Sequence, residues 1–244
     1  VKNNSVFINS LSQVDQSWVD FLTPENLRLI ESIEDEIIQN GTEYTPSSHR
    51  VFHFLTLPLN KVNVLILGQD PYPQKGVATG RAFEVGTLKS WHDTFNNISL
   101  KNIIRSIYYA YHNQYLKYNE IKEEIGYSFF IKPPDKLFKQ WEKQGVLLLN
   151  TSFTCEMGSP NSHEKIWYPL TQKLLRYIHQ KNDDIVWFIW GNNAKQMTRE
   201  INARYKIESM HPMMCYNKSG RETDFLFGNE NPFVATKDII NWLG

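Results

Sequence analysis

Two cysteines, Cys155 and Cys215, are too few in 244 residues for a disulfide framework or a four-thiolate iron–sulfur cluster. The chain is therefore expected to work reduced, in a cytoplasmic setting. No apolar run approaches the length of a membrane span, and no signal-peptide pattern opens the sequence, so no membrane partner is expected. Lys plus Arg equals Asp plus Glu at 26 each, so there is no net charge. Any polyanion must be held by a local cluster, because no overall field draws it in. Internal repeats and low-complexity linkers are absent. Neither G-x-G-x-x-G nor G-x-x-x-x-G-K-[ST] follows a strand, which leaves little support for a generic nucleotide-binding protein.

What remains is 41% hydrophobic and 14% aromatic, enough for one large domain with a real core. A helix is predicted from "TPENLRLIESIEDEIIQNG", with Thr23 as cap, Pro24 in the first turn and Gly41 at the end. "TEYTPSSHR" reads as a loop, and "VFHFLTLPL" as a short helix or turn. "SLKNIIRSIYYAYH" has helical spacing of its apolar residues, whereas residues 113–139 resist assignment. Further helices are predicted at "YPLTQKLLRYIHQ", with Pro169 near the first turn, at "NNAKQMTREINARY", and over about 234–243. Strands are predicted at 62–67, 146–150, 185–190 and "KIES". The expected fold is α/β: a single domain with a central, mostly parallel four-stranded sheet flanked by helices on both faces. Residues 1–49 read as an N-terminal helical extension and 50–243 as the core of the domain.

In such sheets ligands bind outside the carboxyl ends of the strands. The four strands end in Gln69-Asp70, Asn150, Gly191-Asn192 and, near the last, His211. Each brings polar groups to one edge of the sheet. Asp70 stands in a loop stiffened by Pro71 and Pro73. Taken singly, these residues also fit turn-forming or packing roles.

The set "GQDPYP", "RAFEV", "LLLNTSFT", "NSHEKIW" and "HPMM" resembles the motif series of the family 1 uracil-DNA glycosylases. The resemblance covers roughly residues 50 to 243. It implies hydrolysis of the bond between uracil and deoxyribose in DNA, with the uracil flipped out of the stack. It also implies a monofunctional hydrolase of base excision repair, with no metal and no organic cofactor. Asp70 would stabilise the positive sugar and activate water. His211 would donate to uracil O2 as negative charge builds there. Asn150 would read O4 and N3–H. Phe83 would stack on the base, Tyr72 would block a thymine methyl, and Gln69 would belong to the same substrate loop. Ser99 and Ser209, with the region around Gly228, are candidates for gripping the DNA backbone. His163 is expected to order a loop.

Four departures from the family pattern stand out. Pro73 replaces a usual histidine, "QKGVATG" replaces a water-associated loop, and Arg81 stands where an aliphatic residue is usual. Cys215 aligns with the leucine that wedges into the duplex, leaving Met213 or Met214 as apolar wedges. The expected partners are uracil-containing DNA, single- or double-stranded, and a proteinaceous glycosylase inhibitor, with the chain a monomer. The alternative reading is a DNA-binding or processivity platform with the same fold and weak or no glycosylase activity.

Overall fold

Val64–Gly68 (β2) and Val146–Asn150 (β3) are buried at every position, as a strand covered on both faces must be. The structure, a computed structural model, describes residues 5–11 and 13–244; residues 1–4 and 12 of the expected extension lie outside the described residues. Before β2 come α1 (Val6–Asn9), α2 (Pro24–Gln39), β1 (Tyr44–Thr45) and α3 (Ser48–Val51). Between β2 and β3 lie α4 (Ile98–His112), α5 (Tyr118–Glu124) and α6 (Pro134–Lys143). After β3 follow β4 (Cys155–Glu156), α7 (Glu164–Lys181), β5 (Val186–Trp190), α8 (Gly191–Met197), β6 (Tyr205–Ser209) and α9 (Pro232–Thr236).

The main sheet has the order β3-β2-β5-β6, and every pairing is parallel. Alternate residues of one strand feed different cores. Ile66, Leu148, Phe188 and Ile207 pack with Leu100, Ile104 and Trp141 on one face. Leu65, Leu147, Trp187 and Ile189 pack with Ile33, Leu174 and Ile178 on the other. Phe7 and Trp18 join the second core, so the N-terminal segment is packed onto the sheet. The chain leaves β2 toward β3, then crosses back to place β5 on the other side of β2. That reversal opens a crevice at the carboxyl ends of β2 and β5.

Several elements differ from their sequence expectation, each for a local reason. "TEYTPSSHR" is not simply a loop: Tyr44 and Thr45 pair antiparallel with Glu156 and Cys155, and α3 follows. The unassigned 113–139 segment contains α5 and the start of α6. Helix α7 begins at Glu164, so Pro169 lies inside it rather than near its start. The hydrogen bond that proline cannot donate falls on an exposed side, where a free carbonyl is tolerated. Helix α8 stops at Met197; Thr198 Oγ1 donates to the Ala194 carbonyl at 2.8 Å, and Ile201 turns into the core. The last helix is short and early. Asn231 caps it, and beyond Thr236 the buried Trp242 is held by the Thr236 and Tyr111 hydroxyls instead of helical bonds.

Candidate active site

Gly68 closes β2 opposite Asn150, the last residue of β3. A Cβ on Gly68 would overlap Asn150 Oδ1 and stand 2.9 Å from the Ala82 methyl. Glycine here lets the amide lie across the strand end and lets the chain carrying Phe83 come close. Asn150 is 6% exposed at the strand end. An amide there offers a ligand both a donor and an acceptor.

Asp70 follows in a loop held at four carbonyls. Those of Gly68 and Gln69 accept from the Thr151 and Ser152 N–H groups at 2.9 Å each. The Pro71 carbonyl accepts from Cys155 Sγ at 3.3 Å, and that of Pro73 from the Gly158 N–H at 3.0 Å. Gln69 is thus fixed through its backbone. Asp70 Oδ2 accepts the Asn161 N–H at 2.6 Å, and Asn161 has a left-handed backbone with φ 65. Burial pushes the Asp70 carboxyl above its ordinary value; the Asn161 N–H pulls it down, and the Glu164 charge adds to the rise. His163 is buried, with Nδ1 2.9 Å from the Thr154 hydroxyl, so it orders the loop carrying Asn161.

His211 follows β6, and its Nδ1 accepts the Met213 N–H at 3.2 Å. The proton of the neutral ring therefore sits on Nε2. Burial holds the imidazole below its ordinary value and keeps it neutral. Gly191, at φ 85, makes room: a Cβ there would stand 2.9 Å from His211 Cβ. Phe83 has φ 65, a conformation that costs a bulky residue about 1–3 kcal/mol. Its ring centroid lies 5.5 Å from that of Trp190 and 6.4 Å from that of His211. The Tyr72 hydroxyl makes a long 3.5 Å contact with the Phe83 carbonyl. Burial pushes that phenol up to about 12, so it stays neutral.

Asn150 against Gly68, Gly68 against Ala82, Phe83 against His211 and Tyr72 against Phe83 thus form one continuous series around the crevice. Two clefts of about 520 and 560 Å³ elsewhere on the surface contain none of Asp70, Asn150, Phe83 or His211. The convergence of chemistry, not the size of a cavity, marks the site.

The outer residues divide. Ser99 is half-buried in the first turn of α4. Met213 and Met214 are 54% and 53% exposed, as a wedge must be. Cys215 is half-buried, with its Sγ donating to the Pro212 carbonyl at 3.3 Å. Ser209 does not fit a phosphate contact: it is buried, and its hydroxyl donates to the Met210 carbonyl at 2.9 Å. The Gly228 N–H is likewise committed, to the Asp224 carbonyl.

Some supporting residues carried no sequence signal of their own. Asn102 donates to the Pro212 carbonyl at 2.6 Å and so ties α4 to the methionine loop. Asp224 is buried and accepts from the Tyr216, Leu226 and Phe227 N–H groups and from Arg221. Burial alone would raise its carboxyl; these donors outweigh that and hold it low. Glycines after strands and an asparagine before a helix hint at close approaches, but only contacts name the partner.

A profile of the uracil DNA glycosylase superfamily matches residues 56–233. The uracil-DNA glycosylase of Fusobacterium nucleatum is 31% identical over 210 residues, covering 83% of each chain. That of Streptococcus gordonii is 33% identical over 215 residues, covering 86% of this chain and 88% of its own. Among solved structures, a variant of mimivirus UNG in complex with UGI superposes with a TM-score of 0.65 at 24% identity, covering 85% of this chain and 73% of that one. With a profile spanning most of its length and relatives above 30% identity, the chain belongs to the uracil DNA glycosylase superfamily.

Proposed function

We infer that this chain flips uracil out of DNA and hydrolyses its N-glycosidic bond, leaving an abasic site. The observation that carries the reading is the continuous series of contacts joining Asn150, Phe83, Tyr72 and His211 beside the Asp70 loop. The extruded base lies on Phe83. The Asn150 amide donates to O4 and accepts from N3–H, and cytosine reverses both groups, leaving buried atoms unpaired. As the bond to C1′ breaks, the sugar becomes positive and the base negative. Asp70 faces the sugar, stabilises the cation and takes a proton from the attacking water. His211 Nε2–H donates to O2, and this bond strengthens as the base gains charge. Met213 and Met214 fill the gap left in the stack. Ser99, in the first turn of α4, meets a phosphate.

Among the described residues no helix is long and apolar enough to cross a membrane. We place the protein in the cytoplasm as a monomer, with residues 1–49 an extension of a 50–243 catalytic core. A UGI-type protein is a second expected partner, at the mouth of the same crevice.

The test is product analysis with uracil-, thymine- and cytosine-containing oligonucleotides, single- and double-stranded. Abasic product from uracil strands alone is expected; none at high enzyme concentration overturns the catalytic reading. Tyr72→Ala removes the group held against C5 of the base, and should bring measurable release of thymine. If the variant keeps full rejection of thymine, the steric role of Tyr72 is wrong.

The pH profile follows from the two shifts. Turnover needs Asp70 ionised and His211 neutral. Asp70 titrates above the ordinary 3.8 and His211 below the ordinary 6.5. Protonation of either group removes a working form, so kcat/KM should decline as pH falls, with no separate loss from these two groups as pH rises. A kcat/KM that holds or rises as pH falls would contradict an ionised Asp70 and a neutral His211.

A further inference from the structure

Phe83 is held in its left-handed turn from behind. Arg81 and Glu84 flank it, and Arg81 Nη1 donates to Glu84 Oε2 at 3.0 Å, bridging the turn. Arg81 Nη2 donates to Glu142 Oε2 on α6 at 2.7 Å. His53 Nε2 lies 2.8 Å from the other Glu142 oxygen. The side chains of Arg81, Glu84 and Glu142 are 12%, 6% and 12% exposed. Between the two ends of the clamp, the Ala82 N–H donates to the Leu148 carbonyl of β3 at 3.3 Å. The turn is thus tied to the strand that presents Asn150 and to the helix before it. Burial would raise the Glu142 carboxyl, but hydrogen bonds from His53 and Arg81 outweigh it and hold it low.

We propose that Arg81 is a positioning residue for base recognition: through its two-pronged grip on Glu84 and Glu142 it holds Phe83 in the left-handed conformation that presents the ring to the flipped base. This rests on the assignment of Phe83 as the stacking surface. An aliphatic residue at this place could pack but could not bridge the turn. Lysine could meet one carboxylate but lacks the planar fork that meets both. Arg81, Glu84 and His53 also border the 520 Å³ cleft, whose walls include Arg50, Lys89 and Lys139. Water can therefore enter when the guanidinium is removed, and the folded state need not collapse around two bare carboxylates.

Stacking acts on the bound base before and during bond cleavage, so its loss appears in KM and in product affinity more than in kcat. Arg81→Leu should raise KM for uracil-DNA and the inhibition constant of free uracil, each about tenfold, with kcat changed less than about threefold. Affinity for undamaged DNA should stay as in the wild type. Arg81→Lys should recover thermal stability ahead of uracil affinity. The triple variant Arg81→Leu, Glu84→Gln, Glu142→Gln removes the unpaired charges without rebuilding the clamp; it should regain stability and keep the weak uracil binding. Recovery of uracil affinity in the triple variant, or a drop in melting temperature with an unchanged inhibition constant in Arg81→Leu, would overturn the proposal. Phe83→Ala is measured alongside. If it leaves KM unchanged, the stacking assignment itself fails; if it raises KM while Arg81→Leu does not, only the Arg81 role fails.

Discussion

Asp70→Asn should lower kcat about 10³- to 10⁴-fold while uracil-DNA binding stays within about threefold. The asparagine keeps the shape of the carboxyl and can still accept the Asn161 N–H. It brings no negative charge to the sugar and cannot take a proton from water. The same substitution tests the energetics of the site. Burial raises the Asp70 carboxyl, so the group favours folding when protonated. That contribution is fully present below the unfolded value and is lost as pH rises through the folded value. Once ionised, Asp70 therefore works against the fold. Asp70→Asn should raise the melting temperature at pH 7, and the gain should shrink as pH falls toward the ordinary carboxylate range. Loss of DNA binding together with turnover, or a variant that turns over normally, would remove Asp70 from the chemistry.

Asn150→Ala should lower kcat/KM for uracil about 10³-fold, because both edge hydrogen bonds go and uracil O4 and N3–H are left buried without partners. Gly68→Ala should approach the same loss by adding one methyl group. Its Cβ would overlap Asn150 Oδ1 and stand 2.9 Å from the Ala82 methyl, at the end of β2 where the backbone is paired to β3. Two variants on different strands with one phenotype would identify the pair as a unit. Calorimetry is needed beside the kinetics, since overpacking also costs stability, typically about 1–3 kcal/mol. A Gly68→Ala enzyme that melts lower but keeps its kcat/KM would show that the amide does not need that position.

The departures noted in the sequence fall into two physical kinds. Pro73 replaces a side chain but contributes a carbonyl that binds the Gly158 N–H, so the loop is stiffened through the backbone. Arg81 replaces an apolar residue with a buried ion cluster in which its two Nη atoms meet Glu84 and Glu142 while its Nε has no partner among the described residues. Neither could be judged from its own stretch of chain, because Gly158 and Glu142 are far away in sequence. Ser209 shows the opposite failure. The resemblance offered it as a backbone-gripping serine, yet as the last residue of β6 it is buried and its hydroxyl donates to the Met210 carbonyl.

Much of the architecture follows from local pattern. Unbroken apolar runs at β2, β3 and β5 required a sheet covered on both faces, and the polar residues at their ends marked the working edge. The motifs that carry Asp70, Asn150 and His211 on those ends resemble the family 1 uracil-DNA glycosylases, and it is that resemblance that pointed to the reaction class. The left-handed Phe83, the tautomer of His211, the Asn161 N–H on Asp70 and the Arg81 clamp belong to the tertiary structure alone. Each depends on which atom of a distant residue lies within about 3 Å, the reach of a hydrogen bond. Hydrophobic periodicity reports which way a residue faces; it carries no information about what the residue meets there.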